Sequence, residues 1–129
     1  MSPMAANAAV GDRISVKGGI RLGNLYFSSG ITGVRPEARK DALAFGGDIK
    51  EQTRTILETH KANLESMGSS LDKVLKVTVF LVDVKTEKSA MNEVYAQYFP
   101  KEVPARSAVG VQLPDTATRV EIELVAWIP

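Results

Sequence analysis

The sequence contains no cysteine, which excludes disulfide bonds, thiolate catalysis and cysteine-based metal sites. Its single histidine and scattered carboxylates also argue against a dedicated zinc site. The formal net charge is only +1, from 16 lysines and arginines against 15 aspartates and glutamates. Because phosphate binding needs a clustered basic excess, this balance argues against a protein that binds nucleic acid.

Long apolar stretches are absent too, and no segment approaches the length of a membrane-spanning helix. The first ten residues are small and weakly apolar and lack a basic region, so they do not resemble a secretory signal. We therefore expect a soluble, cytoplasmic protein. With 129 residues, the chain suits one domain, 1–129, in which 1–12 form a loose arm.

The sequence does contain a regular succession of strand and helix patterns. Asp48 lies three residues before Glu51, which predicts a capped helix start, and Gly68 predicts the end of that helix. The element order is β-β-β-α-β-α-β-β, so we expect an α+β fold with one sheet and both helices packed on one face. The predicted strands cover 14–17, 20–22, 25–29, 74–82, 106–111 and 119–128, the second helix covers 86–99, and 33–47 form a loop.

The last predicted strand has two unlike faces. One face is apolar and suits packing against helices; it consists of Val120, Ile122, Leu124 and Ala126. The other face mixes carboxylates with large apolar side chains, and it consists of Glu121, Glu123, Val125 and Trp127. Such a face is too apolar to be freely solvated and too charged for the core of a monomer. It therefore predicts a subunit interface or a ligand cleft.

Arg106 is the first candidate for a functional side chain. It follows Pro104 and Ala105, so the backbone reaches it in an extended conformation. Its guanidinium offers a rigid fork of donors that matches a carboxylate, and the alternative is a surface or interface ion pair with an acidic residue such as Glu121. Glu121 itself either organises a water molecule and exchanges protons with a substrate amine, or makes an ordinary ion pair.

Three further features carry both a functional and a structural interpretation. Ser29 and Gly30 end an apolar strand, where they either line a small polar pocket or form a turn. Asn92 and Tyr95 share a helix face, so Tyr95 either presents its hydroxyl to a cleft or packs its ring in the core. His60 lies on the apolar face of the first helix, and we interpret it as a hydrogen-bonded core histidine.

The carboxyl-terminal third carries a recognisable combination of motifs. Residues 103–109 read Val-Pro-Ala-Arg-Ser-Ala-Val, 113–114 read Leu-Pro, and 119–123 read Arg-Val-Glu-Ile-Glu. In this order they resemble the signature of the Rid/YjgF family, the reactive intermediate deaminases formerly called endoribonuclease L-PSP. Supporting matches at 26–30, 64–68, 74–81 and 91–99 extend the resemblance over nearly the whole chain.

The resemblance implies a chorismate-mutase-like fold and a homotrimer, whose sheets form a central β-barrel with active sites in the clefts between subunits. It also implies that Arg106 holds the carboxylate of a 2-imino acid, with Glu121 close by, and that water replaces ammonia without a metal or an organic cofactor. We therefore expect catalytic roles for Arg106 and Glu121. The residues expected to bind the substrate are Ser29, Gly30, Asn92, Tyr95, Ser107 and Ala108.

The chain departs from the family pattern in three places. Val16 stands near the position of a tyrosine that enters the cleft in deaminating members, and Ile31 replaces the glutamine that usually follows the Ser-Gly pair. The run 111–114 is one residue shorter than usual. We expect from this a cleft with one more apolar wall, and a substrate larger than or different from the simple imines of serine and threonine.

Three functions stay open at this point. The first is hydrolysis of enamines and imines, which Arg106 and Glu121 favour, with a branch that acts on aminomuconate-like enamines as a variant of it. The second is a non-catalytic regulatory trimer that binds small carboxylates, which the valine at position 16 favours. The third is a ribonuclease, against which the near-neutral charge and the lack of a histidine pair argue.

Overall fold

The computed structural model describes residues 11–33 and 47–129. The helices are α1, Ile49–Ser66, and α2, Val84–Tyr98, and a short 3-10 helix, Leu71–Lys73, follows α1. The strands are β1 Arg13–Val16, β2 Gly19–Leu22, β3 Leu25–Phe27, β4 Ile31–Thr32, β5 Val74–Leu81, β6 Ala105–Gly110 and β7 Val120–Trp127. The predicted arm 1–12 and loop 33–47 lie outside the described residues except at their ends.

One mixed sheet joins the strands in the order β1-β2-β3-β7-β5-β6, and β4 also pairs with β7. Strands β5 and β6 are parallel because α2 carries the chain back between them, and every other pair is antiparallel. In the register of β7, Glu121 lies opposite Phe80 of β5 and Thr32 of β4. Strand β6, which carries Arg106, forms one edge of the sheet.

Both helices cover the same face of this sheet, as the sequence predicts. Inward residues of β5 and β7 pack with residues of both helices in one hydrophobic core. Its fully buried members include Ile56, Leu57, Leu64, Val77, Val79, Leu81, Met91, Val120 and Ile122. The helices lie side by side, with Lys50 Nζ 3.2 Å from the Glu93 carboxylate and the Tyr98 hydroxyl donating to Glu58 at 2.7 Å. The α+β architecture is therefore confirmed.

The alternation predicted for the last strand is also confirmed, because its apolar residues are buried beneath the helices while the intervening ones are half-buried or exposed. We call the opposite side of the sheet the open face. Pairing across β2, β3, β5 and β7 gives it Ile20, Leu22, Leu25, Phe27, Lys76, Thr78, Phe80, Glu121, Glu123, Val125 and Trp127. In this single chain the open face carries no covering element from the described residues.

The predicted start of α1 is confirmed. The Asp48 side chain accepts a hydrogen bond from the Glu51 backbone N–H at 2.9 Å, which satisfies one of the free donors of the first turn. Gly68 adopts φ 80° just beyond the helix, as a glycine stop requires. Helix α2 begins at Val84, two residues before the predicted start, because Asp83 accepts a hydrogen bond from the Thr86 N–H at 3.3 Å.

The predicted strand 25–29 was too long, and one short strand was missed. Strand β3 ends at Phe27, and the chain resumes pairing with β7 at Ile31 as β4. Between them, the Ser28 N–H donates to the Leu124 carbonyl at 2.9 Å, and the Ser28 hydroxyl accepts from the Leu124 N–H at 2.8 Å. These two hydrogen bonds of Ser28 interrupt the regular pairing of backbone groups between β3 and β7.

No helix of 11–33 or 47–129 is both long and apolar enough to span a membrane.

Candidate active site

The Arg106 side chain points toward α2 and is held there by two contacts. Its Nη1 donates a hydrogen bond to the Asn92 Oδ1 at 2.8 Å. Its Cζ lies 4.7 Å from the centroid of the Tyr95 ring, which is a cation–π arrangement. Asn92 and Tyr95 are three residues apart on α2 and share one face of this helix, so both side chains contact the guanidinium.

Arg106 has no ion pair within the described part of the chain. Arg106 and Glu121 therefore form no ion pair within a single subunit, and an ion pair across a subunit interface stays a prediction. Asn92 accepts a hydrogen bond from only one of the guanidinium N–H groups. The remaining N–H groups are still able to donate to a carboxylate. A half-buried, oriented and unpaired guanidinium is suited to bind an anion.

Tyr95 supports the arginine with its ring rather than with its hydroxyl. The residue is 6% exposed, and among the described residues its hydroxyl has no hydrogen-bond partner. Burial raises the pKa of Tyr95 to about 12, against the opposing charge of Arg106. The phenol is therefore neutral at physiological pH. The ring also packs on Phe99, with the two centroids 4.6 Å apart.

A pocket of about 330 Å³ opens beside the guanidinium. It lies between α2 and the segment that leads into β6, and it is lined by Asn92, Tyr95, Ala96, Phe99, Val103, Pro104 and Arg106. Four of these lining residues were not predicted from the sequence: Ala96, Phe99, Val103 and Pro104. The available signal was spacing, because Ala96 and Phe99 lie four and seven residues after Asn92 and so share its side of α2.

Glu121 lies on the other side of the sheet. It is half-buried on the open face, between Val120 and Ile122, whose side chains are fully buried beneath the helices. A Cβ added to Gly30 would overlap the Glu121 carboxylate. A larger residue at position 30 would therefore displace the Glu121 carboxylate from this place. Gly30 and Glu121 therefore lie close together, and their roles in a site stay predictions.

Ser29 connects this region to the first hairpin. Its hydroxyl donates a hydrogen bond to the Gly18 carbonyl. The Tyr26 hydroxyl donates to the Lys17 carbonyl at 3.1 Å, and Lys17 itself has a left-handed φ of 50°. The turn after β1 is thereby held against the end of β3. The proton of Ser29 is used by the protein backbone, so only its oxygen lone pairs remain for a ligand.

The other predicted site residues have separate positions. The Ser107 hydroxyl accepts a hydrogen bond from Lys76 Nζ at 3.1 Å, and both residues are exposed. Ala108 is half-buried and packs against the core, so its side chain serves packing. Ile31 and Val16 also pack against the core. The Ile31 side chain joins the helix-covered side of the sheet, opposite Glu121, and its expected effect on the cleft wall stays a prediction.

His60 is a core residue, as predicted. It is 1% exposed, and its Nε2 lies 2.9 Å from the Ile122 carbonyl. Burial lowers the pKa of His60, and the hydrogen bond to Ile122 acts in the opposite direction. His60 therefore joins α1 to β7 one residue away from Glu121.

The predicted site residues thus form two groups in one chain. Arg106, Asn92 and Tyr95 form the first group, on the helix side of the edge strand. Glu121, Gly30 and Ser29 form the second group, on and beside the open face. The sheet separates the groups, so one copy of the chain does not bring Arg106 and Glu121 to the same ligand.

Comparisons with known proteins agree with the motifs. Residues 13–128 match the family model described as endoribonuclease L-PSP. A RutC family protein of Pyrococcus horikoshii is 44% identical over 108 residues, which cover 84% of this chain and 82% of the relative. The chloroplastic Reactive Intermediate Deaminase A of Arabidopsis thaliana is 35% identical over 109 residues, which cover 84% of this chain and 56% of the relative.

Solved structures give the same result. Yeast Mmf1 aligns with a TM-score of 0.75 at 30% identity, covering 92% of this chain and 98% of Mmf1. A YjgF family member from Mycobacterium tuberculosis aligns with a TM-score of 0.71 at 30% identity, covering 85% of this chain and 84% of that one. On sequence and on fold, the chain belongs to the Rid/YjgF family, which the matching model describes as endoribonuclease L-PSP.

Proposed function

We propose that this protein hydrolyses reactive enamine and imine intermediates, the 2-imino acids, to 2-keto acids and ammonia. The observation that carries the proposal is the guanidinium of Arg106. It is oriented by Asn92 and the Tyr95 ring, and it has no ion pair within the described residues. A 2-imino acid carries the carboxylate that such a fork binds in a bidentate manner. The name of the Arabidopsis relative, Reactive Intermediate Deaminase A, supports this reaction class.

The reaction needs little from the protein beyond positioning. The carbon of a protonated imine is already electrophilic, so one water molecule adds to it, the C–N bond then breaks, and ammonia leaves. Glu121 accepts a proton from the attacking water and returns a proton to the departing nitrogen. The iminium zwitterion and water thus become a 2-keto carboxylate and an ammonium ion. Orientation of substrate and water supplies most of the acceleration.

Two copies of the chain are needed to complete this site. Arg106 and Glu121 lie on opposite sides of one sheet, so we propose that Glu121 comes from a neighbouring subunit. The open face supports this assembly because Leu22, Phe27 and Trp127 there are 38–44% exposed. A homotrimer whose open faces form a central β-barrel would bury these side chains. The cytoplasm remains our proposed location, although relatives include mitochondrial and chloroplastic proteins.

Replacement of the arginine tests the proposed function. Imines are generated in situ by an amino-acid oxidase, and keto-acid formation is followed with and without the protein. Arg106→Ala is expected to lower kcat/KM by about 100-fold or more, because two charge-assisted hydrogen bonds to the carboxylate are lost. Arg54→Ala is the matched control, since Arg54 donates to the Gln97 amide on an exposed part of the helix pair.

The alternative is a regulatory trimer that binds small carboxylates without turning them over. The specific observation in its favour is Val16, which packs against the core where a tyrosine hydroxyl is expected in deaminating members. In that case, the wild-type protein would bind carboxylates through Arg106 but accelerate no imine. Full activity of Arg106→Ala would overturn the assigned role of Arg106. Activity on aminomuconate-like enamines alone would assign the protein to a pathway-specific branch.

A further inference from the structure

The pocket beside Arg106 has one polar end and otherwise apolar walls. Asn92 and Arg106 form the polar end. The α2 wall is formed by Ala96 and Phe99, which follow Asn92 at helical spacing, and the opposite wall is formed by Val103 and Pro104. A ligand whose carboxylate binds Arg106 would therefore extend along apolar surface.

The size and exposure of the walls indicate what fits there. The pocket holds about 330 Å³, which is more than a methyl group fills and within the range of small-molecule sites. Val103 is 70% exposed, so most of this apolar side chain faces water in the single chain. Ala96 is exposed as well. Covering both residues with hydrocarbon would release water from apolar surface, which favours binding.

We propose that this pocket receives the substrate side chain and makes the protein selective for 2-imino acids with branched aliphatic or aromatic side chains. This inference rests on the proposed function and narrows its substrate class. Arg106 anchors the carboxylate, and the walls at Ala96 and Val103 contact the side chain. Imines with a methyl or hydroxymethyl side chain leave the same walls in water, so they gain less binding energy in the transition state.

A series of substrates tests the selectivity. Imines are generated in situ from alanine, leucine and phenylalanine, and kcat/KM is measured for each. The leucine-derived imine is expected to exceed the alanine-derived imine by about 10-fold or more, because each additional buried methylene discriminates by that order. Equal values of kcat/KM, or a higher value for the alanine-derived imine, would contradict the proposed role of the pocket but would not contradict the proposed deaminase function.

Variants of the walls test the location. Ala96→Leu fills the pocket from the α2 side and is expected to reduce the leucine-to-alanine ratio of kcat/KM by about 10-fold. Ala62→Leu is the matched control, because Ala62 is an exposed alanine of α1 away from the pocket, and it should leave both values unchanged. Val103→Ser is a second variant that removes apolar surface without adding bulk, and it should lower the same ratio. If neither wall variant changed the leucine-to-alanine ratio of kcat/KM, the proposal would be contradicted.

Binding of unreactive acids separates this inference from the proposed function. If the wild-type protein hydrolyses no imine, the proposed deaminase function is wrong. The pocket is then tested separately by measuring the binding of propionate, isocaproate and hydrocinnamate in NMR titrations. Tighter binding of the two larger acids, lost in Ala96→Leu, would support the pocket on its own. Equal binding of all three would overturn it. A changed oligomeric state of Ala96→Leu with an unchanged ratio would mean that a second subunit covers these walls, which also contradicts the proposal.

Discussion

At the scale of single residues, Arg106 shows what local sequence can and cannot predict. The Pro-Ala-Arg context predicts an extended strand start with a fork of donors. The partners Asn92 and Tyr95 lie 14 and 11 residues earlier in the chain, on a helix. Their contact with Arg106 depends on how α2 packs beside β6, which local patterns do not specify. The structure shows both residues in contact with the arginine, and their expected role in binding the substrate stays a prediction.

Asn92 is predicted to act as a positioning residue. Asn92→Ala removes the hydrogen bond that holds Nη1 of Arg106, so the guanidinium gains freedom that it must lose again when it binds a carboxylate. KM should rise by about 10-fold, with a smaller change in kcat, since a hydrogen bond to a charged group contributes about 1.5–3 kcal/mol. Steady-state kinetics on one imine would measure this split.

A matched control for Asn92 is present on the same helix. Gln97 is also an α2 amide that accepts a hydrogen bond from an arginine, Arg54, at 3.0 Å, but that pair is exposed and Gln97 does not line the pocket. Gln97→Ala should therefore leave KM unchanged. Equal effects of the two replacements would show that Asn92 acts only through the stability of α2.

At the scale of elements, the helices were easier to predict than the short strands. The apolar spacing of α1 and its Asp48 and Gly68 boundaries are local signals, and the structure confirms them. Strand β4 has only two residues, and its existence depends on pairing with β7, which lies about 90 residues later in the chain. Such a strand has no periodicity to read, because long-range hydrogen bonding defines it.

His60 joins α1 to β7 and makes this connection sensitive to pH. Burial lowers the pKa of His60 below its ordinary value of 6.5, so the unfolded chain binds the proton more readily than the folded one. This contribution to stability is present above pH 6.5 and is lost as the pH falls from 6.5 toward the lowered pKa. Each unit of depression corresponds to about 1.4 kcal/mol.

The prediction is that the melting temperature falls between pH 7 and pH 5, and that His60→Gln flattens this dependence. Glutamine removes the titrating group and keeps an N–H donor for the Ile122 carbonyl. Since His60 is the only histidine, no second imidazole obscures the result. Melting temperatures of the wild-type protein and of His60→Gln, measured between pH 5 and pH 7, would test this prediction. If both melting temperatures changed equally with pH, the role given to His60 would be contradicted.

At the scale of the whole molecule, the two groups of site residues and the open face point to the same assembly. The sheet keeps Arg106 and Glu121 apart in one chain. The cross-strand row Leu22, Leu25 and Trp127 leaves apolar side chains half-buried or exposed on the open face, which also carries Glu121. Burial of this face against other copies would remove the apolar surface from water.

Mixed assemblies provide a direct test of the shared site. Arg106→Ala and Glu121→Gln subunits, each inactive alone, are mixed in equal amounts and allowed to exchange. If each cleft takes Arg106 from one subunit and Glu121 from its neighbour, about one quarter of the clefts in a cyclic trimer become intact, and activity returns to about that fraction. The recovered activity is measured after subunit exchange, and light scattering verifies the size of the mixed assemblies. No recovery in demonstrably mixed trimers would mean that both residues serve the same subunit's site.

The sequence by itself determined the family and, apart from strand β4, the α+β order of elements, and it predicted Arg106 as a carboxylate anchor, because these follow from local spacing and from motifs that are contiguous in the chain. Only the tertiary structure decided which residues surround that anchor. It placed Asn92 and Tyr95 against the guanidinium, put Glu121 with Gly30 on the opposite side of the sheet, and opened the pocket at Ala96 and Val103. These relations depend on packing between elements that are distant along the chain, and such packing is a property of the folded molecule.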